Sequence, residues 1–98
     1  MGNEEIIKSI VKRNGNDNQF DICIEECSEL IKALTKWKRF NHDVNATDKE
    51  LRRNVVEEIT DVLICIDELK FIFDIDADEI RGWRNYKLTR EKERLGIW

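Results

Sequence analysis

The sequence has no proline, only 4 glycines in 98 residues and a single histidine. β-Sandwiches and doubly wound sheets need many turns, and turns draw on glycine and proline. Their scarcity predicts few turns and long helices, and it excludes a proline-rich linker or a low-complexity tail. The three cysteines, Cys23, Cys27 and Cys65, form no C-x-x-C pair and are odd in number, which argues against a disulfide framework or a zinc site. They read as small buried hydrophobes in a reducing compartment. An excess of positive charge is also missing: 17 Lys and Arg stand against 21 Asp and Glu, a net charge of −4. That balance argues against binding to a nucleic-acid polymer, which needs basic surface to neutralise phosphates. It leaves a single nucleotide open, because a triphosphate is held by metal ions and a few placed cations. Long apolar runs are absent too. The most apolar stretch, Val62–Phe73, is interrupted by Asp67, Glu68 and Lys70 and falls short of the ~20 residues that span a bilayer. The N-terminal segment mixes charges with its apolar residues and has no signal-peptide core. The expectation is a cytoplasmic protein with no membrane partner.

What is present is 41% hydrophobic and 39% charged residues in a length that fits one domain, residues 1–98. Four helices are expected, with no internal repeat. The first covers about residues 3–13, where Ile6, Ile7, Ile10 and Val11 make a narrow stripe that Asn14-Gly15 stops. The second runs from about Asp17, capped by Asn16 or Asp17, to Phe40. Phe20, Ile24, Cys27, Ile31 and Leu34 recur on it at steps of three and four. Ile22, Leu30, Ala33 and Trp37 make an adjoining face. A polar loop, Asn41–Ala46, precedes a capping box with Thr47 at the cap and Glu50 three residues inside. The third helix runs from there to Phe73 and is apolar on nearly every side in its second half. Asp76 and Glu79 open the fourth, which carries Ile80, Trp83, Leu88 and Leu95 and ends near Gly96. The expected fold is all-α: a four-helix subunit, its sequential helices antiparallel, completed as a bundle by oligomerisation.

Each helical residue advances ~100° around the axis. Glu26 and Glu29 therefore lie one turn apart on the face that carries Ile22, Leu30, Ala33 and Trp37. Glu25 lies beside Glu29. Glu58 and Asp61 share a face with Leu51, Val55, Val62, Cys65 and Leu69. Acidic pairs on core-facing stripes of consecutive helices face each other when the helices pack antiparallel. Burying such carboxylates unpaired is costly and raises their pKa values. A divalent cation removes both problems, and oxygen-only ligation suits Mg²⁺ or Mn²⁺. A di-iron bundle needs E-x-x-H on two helices, and the lone histidine, His42, falls in the expected loop.

Glu25-Glu26-Cys27-Ser28-Glu29 reads E-E-x-x-E, and Glu58-Ile59-Thr60-Asp61 reads E-x-x-D. With a helix–loop–helix between them, these halves resemble the MazG-like branch of the all-α nucleoside triphosphate pyrophosphohydrolases, especially short phage and bacterial members. The resemblance covers about residues 17–95. It implies Mg²⁺-dependent hydrolysis of a nucleoside triphosphate to the monophosphate and pyrophosphate, with Glu26, Glu29, Glu58 and Asp61 as metal ligands. Glu25 matches the first glutamate of the motif, where it binds a second metal or orients the attacking water. The resemblance also implies a homodimer or homotetramer.

The fourth helix offers complementary cations at Lys87, Arg90 and Arg94. A lysine on its inner face is poorly placed without an anion, and Lys87 and Arg90 best match the lysine and arginine of the resembled family. Pairing with Glu91 and Glu93 is the competing role. Gln19, two turns before Glu26, matches a glutamine common in that family and is placed to read a base edge, unless it only completes a capping pattern with Asn16. Trp37 stacks on a base or fills a core or interface position. Two alternatives stay open: a dUTP-, dCTP- or phosphoribosyl-ATP-directed enzyme of the same superfamily, and a catalytically silent helical module that binds a metal, a nucleotide or a protein.

Overall fold

The computed structural model describes residues 1–40 and 48–97. These residues form four α-helices in the order α1 (Asn3–Asn14), α2 (Asn16–Phe40), α3 (Lys49–Ile72) and α4 (Ala77–Leu95), with no strand among them. The polar loop expected at Asn41–Ala46, the cap expected at Thr47 and the terminal Trp98 lie outside the described residues.

Local chemistry sets the helix ends. Glu4 and Glu5 stand in the first turn of α1, with Lys12 and Arg13 in its last turn, each sign complementing the helix dipole. Gly15 follows with φ +80° and ψ 154°, a conformation that a side chain resists. One glycine thus suffices to turn the chain. Its carbonyl accepts from the Gln19 amide at 3.0 Å, so α2 begins at once. Asn16 therefore lies inside α2 rather than before it. Asp48 caps α3, its carboxylate accepting from the Leu51 amide at 2.9 Å. The cap falls one residue beyond the expected position, and Asp is an equally good acceptor. The box at the start of α4 forms as expected: the Glu79 amide donates to Asp76 at 2.9 Å, and the Asp76 amide donates to Glu79 at 3.0 Å.

α2 and α3 are the backbone of the packing. They run antiparallel, because Gln19 meets Glu68, Cys23 meets Cys65 and Glu26 meets Asp61. α1 lies against both, seated by the buried Val11. The buried apolar side chains are only Val11, Cys23, Ala33 and Cys65 among the described residues, and Gln19 and Glu68 are buried with them. A seam with this much polarity holds fewer large side chains than the sequence supplies.

The surplus is exposed. Ile24, Ile31 and Leu34 on α2 join Val56, Ile59, Leu63 and Ile66 on α3, and Phe73 just past its end, as exposed apolar residues. Phe20 stacks on Phe73 with ring centroids 5.6 Å apart, which ties the two stripes into one side of the helix pair. Full burial of such side chains stabilises by about 1.5–3 kcal/mol each, and this chain leaves much of that unrealised.

Two expectations need correction. α4 is not an antiparallel neighbour of α3: it packs against none of the other helices among the described residues. Phe73–Asp76 makes a tight exit in which the Ile75 amide donates to the Lys70 carbonyl and Asp74 takes φ +51°. Ile80, Trp83, Leu88 and Leu95 are spread around an arc that Arg84, Lys87 and Glu91 interrupt. Such a face has little to gain from docking on α3, and Trp83 remains 66% exposed. Cys27 is the second correction. It is exposed while Cys23 and Cys65 are buried, because one ~100° step from Glu26 turns it off the α3-facing line.

Candidate metal centre

Midway along the α2–α3 seam, Glu26, Glu58 and Asp61 bring one carboxylate oxygen each within 4.8 Å of one another. Their positions follow from register. Glu26 is one turn beyond the buried Cys23 on α2, and Asp61 is one turn before the buried Cys65 on α3. The acids continue the line that buries the cysteines. All three are half-buried.

The electrostatics are those of crowded like charges. Glu26 has its pKa raised above the ordinary glutamate value by desolvation, then by the Asp61 charge and a hydrogen bond donated to Asp61, and further by Glu58 and Glu25. Glu58 is raised by desolvation, then by Asp61, Glu29 and Glu57. Oε2 of Glu58 is out of contact with solvent and has no hydrogen-bond partner. A buried acceptor left unmatched costs free energy. Three carboxylates, one with an oxygen that no protein group serves, are the donor set a hard cation takes. No thiolate or imidazole stands among them.

The sign of the pH dependence follows from these shifts. Folded-state pKa values raised above the unfolded ones mean that the folded chain binds more protons once pH exceeds the ordinary glutamate range. Stability is then full below that range and is lost as pH rises through the raised values. Glu68, also raised, acts in the same direction. The melting temperature of metal-free protein is expected to fall from acidic to neutral pH, and Mg²⁺ to raise it at neutral pH but not at acidic pH. Melting curves across pH with and without Mg²⁺ check this. A melting temperature that climbs over that interval, or a Mg²⁺ effect equal at both ends, contradicts it.

The other expected site residues fall at different distances from this centre. Glu29 flanks it: close enough to act on Glu58, it also accepts from Lys32 Nζ at 3.3 Å. Glu25 is exposed at its edge and acts on Glu26. Gln19 is 1% exposed, and its amide is occupied at both ends. Nε2 donates to Glu68 Oε1 at 2.8 Å, and Oε1 accepts from Asn14 Nδ2 at 2.9 Å. It binds helices together and presents no edge to a base at the surface. Trp37 is half-buried and lines a small cavity with Leu34, Arg52, Val55 and Val56. Lys87, Arg90 and Arg94 are exposed on α4, which does not reach α2 or α3. Arg94 pairs with Glu91 at 2.7 Å, and Arg90 lies 6.0 Å from the Tyr86 ring. The acids are assembled by this chain, whereas the α4 cations are not brought to them.

Two further features stand near the centre, and the first of them escaped the sequence reading. One is the buried carboxyl of Glu68. Its signal was present, since Glu58, Asp61, Cys65 and Glu68 recur at steps of three and four. The other is a cleft of about 540 Å³ whose lining includes Lys36, Phe40, Arg53, Asn54 and Glu57. It adjoins the acids through Glu57, whose charge acts on Glu58, and through Asn54, one turn before Glu58. Among the described residues, Lys36 and Arg53 are therefore cations that this chain places near the centre, as is Lys32 through its pair with Glu29.

No family model, no curated protein and no solved structure matches the chain. Among the described residues no helix is long and apolar enough to cross a membrane.

Proposed function

We propose that the protein hydrolyses a nucleoside triphosphate, with Mg²⁺, to the nucleoside monophosphate and pyrophosphate. The observation that carries this reading is the convergence of Glu26, Glu58 and Asp61 around an unpartnered Glu58 oxygen. These are three of the four acids that the E-E-x-x-E and E-x-x-D pattern assigns to metal. Glu29 stands beside them as the fourth.

In this reading Glu26, Glu58, Asp61 and Glu29 hold the cation. Bound Mg²⁺ supplies charge neutralisation for the phosphates and an acidified water. Glu25, exposed next to Glu26, orients the attacking water. The water oxygen adds to the α-phosphorus and gives up a proton to solvent, and the bond from that phosphorus to the α–β bridging oxygen breaks. Pyrophosphate leaves with that oxygen. Lys36 and Arg53 in the adjoining cleft, or Lys87, Arg90 and Arg94 from the α4 of another copy, meet the charge on the phosphates. The exposed α2–α3 face is covered by a second copy, giving a homodimer or homotetramer.

The isolation of α4 within the chain favours one second reading, a helical module that binds metal or nucleotide without turnover. Incubation with Mg²⁺ and each common NTP and dNTP separates the two. Monophosphate plus pyrophosphate, lost with chelator and with Glu58→Gln, supports the enzyme and reveals its base preference. Diphosphate plus phosphate places cleavage at the wrong bond. No turnover with these, with modified nucleotides, with dUTP or dCTP, or with phosphoribosyl-ATP leaves the binding module.

A further inference from the structure

We propose that Gln19, Cys23, Cys65 and Glu68 form a second, structural metal site for a borderline-soft divalent cation of the Zn²⁺ type. α2 supplies Gln19 and Cys23 four residues apart, and α3 supplies Cys65 and Glu68 three residues apart. The antiparallel crossing brings them to one point. Sγ of Cys23, Sγ of Cys65 and a carboxylate oxygen of Glu68 lie within 4.8 Å of one another. All three residues are buried, none more than 4% exposed. Gln19, buried as deeply, touches the same carboxylate. Rotating its amide, which interchanges O and N, turns its oxygen to the ion as a fourth donor, and the matching rotation of Asn14 keeps their bond, with Gln19 Nε2 now donating to Asn14 Oδ1.

The donor chemistry decides the class of cation. Two thiolates, a carboxylate and an amide oxygen suit a tetrahedral borderline-soft ion. The all-oxygen centre one turn away suits Mg²⁺. One helix pair thus separates two metals by ligand softness. Four protein donors leave no position for water or substrate, so the role is to clamp α2 to α3 and, through Gln19 and Asn14, to α1. Binding displaces the two S–H protons to solvent, and the ion takes their place.

Without the ion, the site is a costly piece of core. Burial pushes the Glu68 carboxyl above its ordinary value against the hydrogen bonds from Cys65 and Gln19 that lower it, and burial likewise pushes the Cys65 thiol far up. Three aliphatic side chains would fill the same space without that cost. A route in also exists. Cys23 lines an apolar groove with Phe20, Ile24, Cys27, Ile31 and Leu69.

The test uses reduced, metal-free, full-length protein titrated with Co²⁺. Stoichiometric near-ultraviolet thiolate-to-cobalt charge transfer with tetrahedral visible bands is expected, and Zn²⁺ should abolish both. The bands should vanish in Cys23→Ser and Cys65→Ser and persist in Cys27→Ser and in Glu26→Gln. Since the seam variants can misfold, the wild-type chain provides a second readout. Zn²⁺ should protect Cys23 and Cys65 from alkylation in partial denaturant while Cys27 stays reactive. Cobalt bound without a thiolate band, bands that survive Cys65→Ser, or alkylation indifferent to Zn²⁺ overturns the proposal. Oxygen-only binding at the acid centre produces no thiolate band, so the outcome is independent of nucleotide hydrolysis.

Discussion

Glu58→Gln is expected to lower Mg²⁺-dependent turnover by about 10²–10³-fold, the scale of losing one preorganised electrostatic group, while metal-free protein melts at a higher temperature than wild type. Both effects have one cause. Glu58 is crowded by Asp61, Glu29 and Glu57, and one of its oxygens is buried without a partner. The neutral amide keeps the shape and removes the repulsion, so the empty fold becomes firmer. The cation loses a charged ligand, so the chemistry fails. Asp61→Asn should behave alike, since the Asp61 charge acts more strongly than any other on both Glu26 and Glu58. Parallel measurement of kcat and of metal-free melting temperature checks the expectation. A variant that loses activity and stability together makes Glu58 a structural residue.

The sequence was informative wherever periodicity alone decides. The capping box at Asp76 and the burial of Cys23 and Cys65 follow from spacing. So does the meeting of Glu26 with Glu58 and Asp61, because the same ~100° step that buries the cysteines carries these acids to the seam. Where tertiary context decides, spacing misled. Gln19 shares the Glu26 face, but α1 closes over it through Asn14 and Glu68 takes its other end. An amide that looked available is spent. Cys27 lies in an apolar stripe, yet that stripe is the uncovered one. The turn after Phe73 carries α4 away from the pair, so Lys87 and Arg90 miss the acids in their own chain. Helix spacing ranks residues around one axis and is silent on which axes meet.

That separation leads to the second large expected effect, restoration of activity by mixing two inactive proteins. If α4 supplies the phosphate-binding cations, a second copy must deliver them, because the first copy does not bring its own α4 to its own acids. The exposed face built from Ile24, Ile31, Ile59, Leu63 and Ile66 is where copies gain most by associating. Lys87→Ala/Arg90→Ala and Glu58→Gln should each be inactive alone. Mixed in equal amounts and allowed to exchange, they should regain about a quarter of wild-type activity in a dimer, since half the dimers are mixed and each has one intact site of two. Leu63→Asp in both proteins should produce monomers by light scattering and abolish the recovery. The control matters as much as the result. If Lys87→Ala/Arg90→Ala remains active alone, the phosphates are met in the same chain by Lys36 and Arg53 from the cleft beside Glu57. Lys36→Ala should then raise KM, since it removes substrate binding that ground state and transition state share. If the α4 variant is inactive and mixing restores nothing, α4 serves its own chain in an arrangement different from the one seen here.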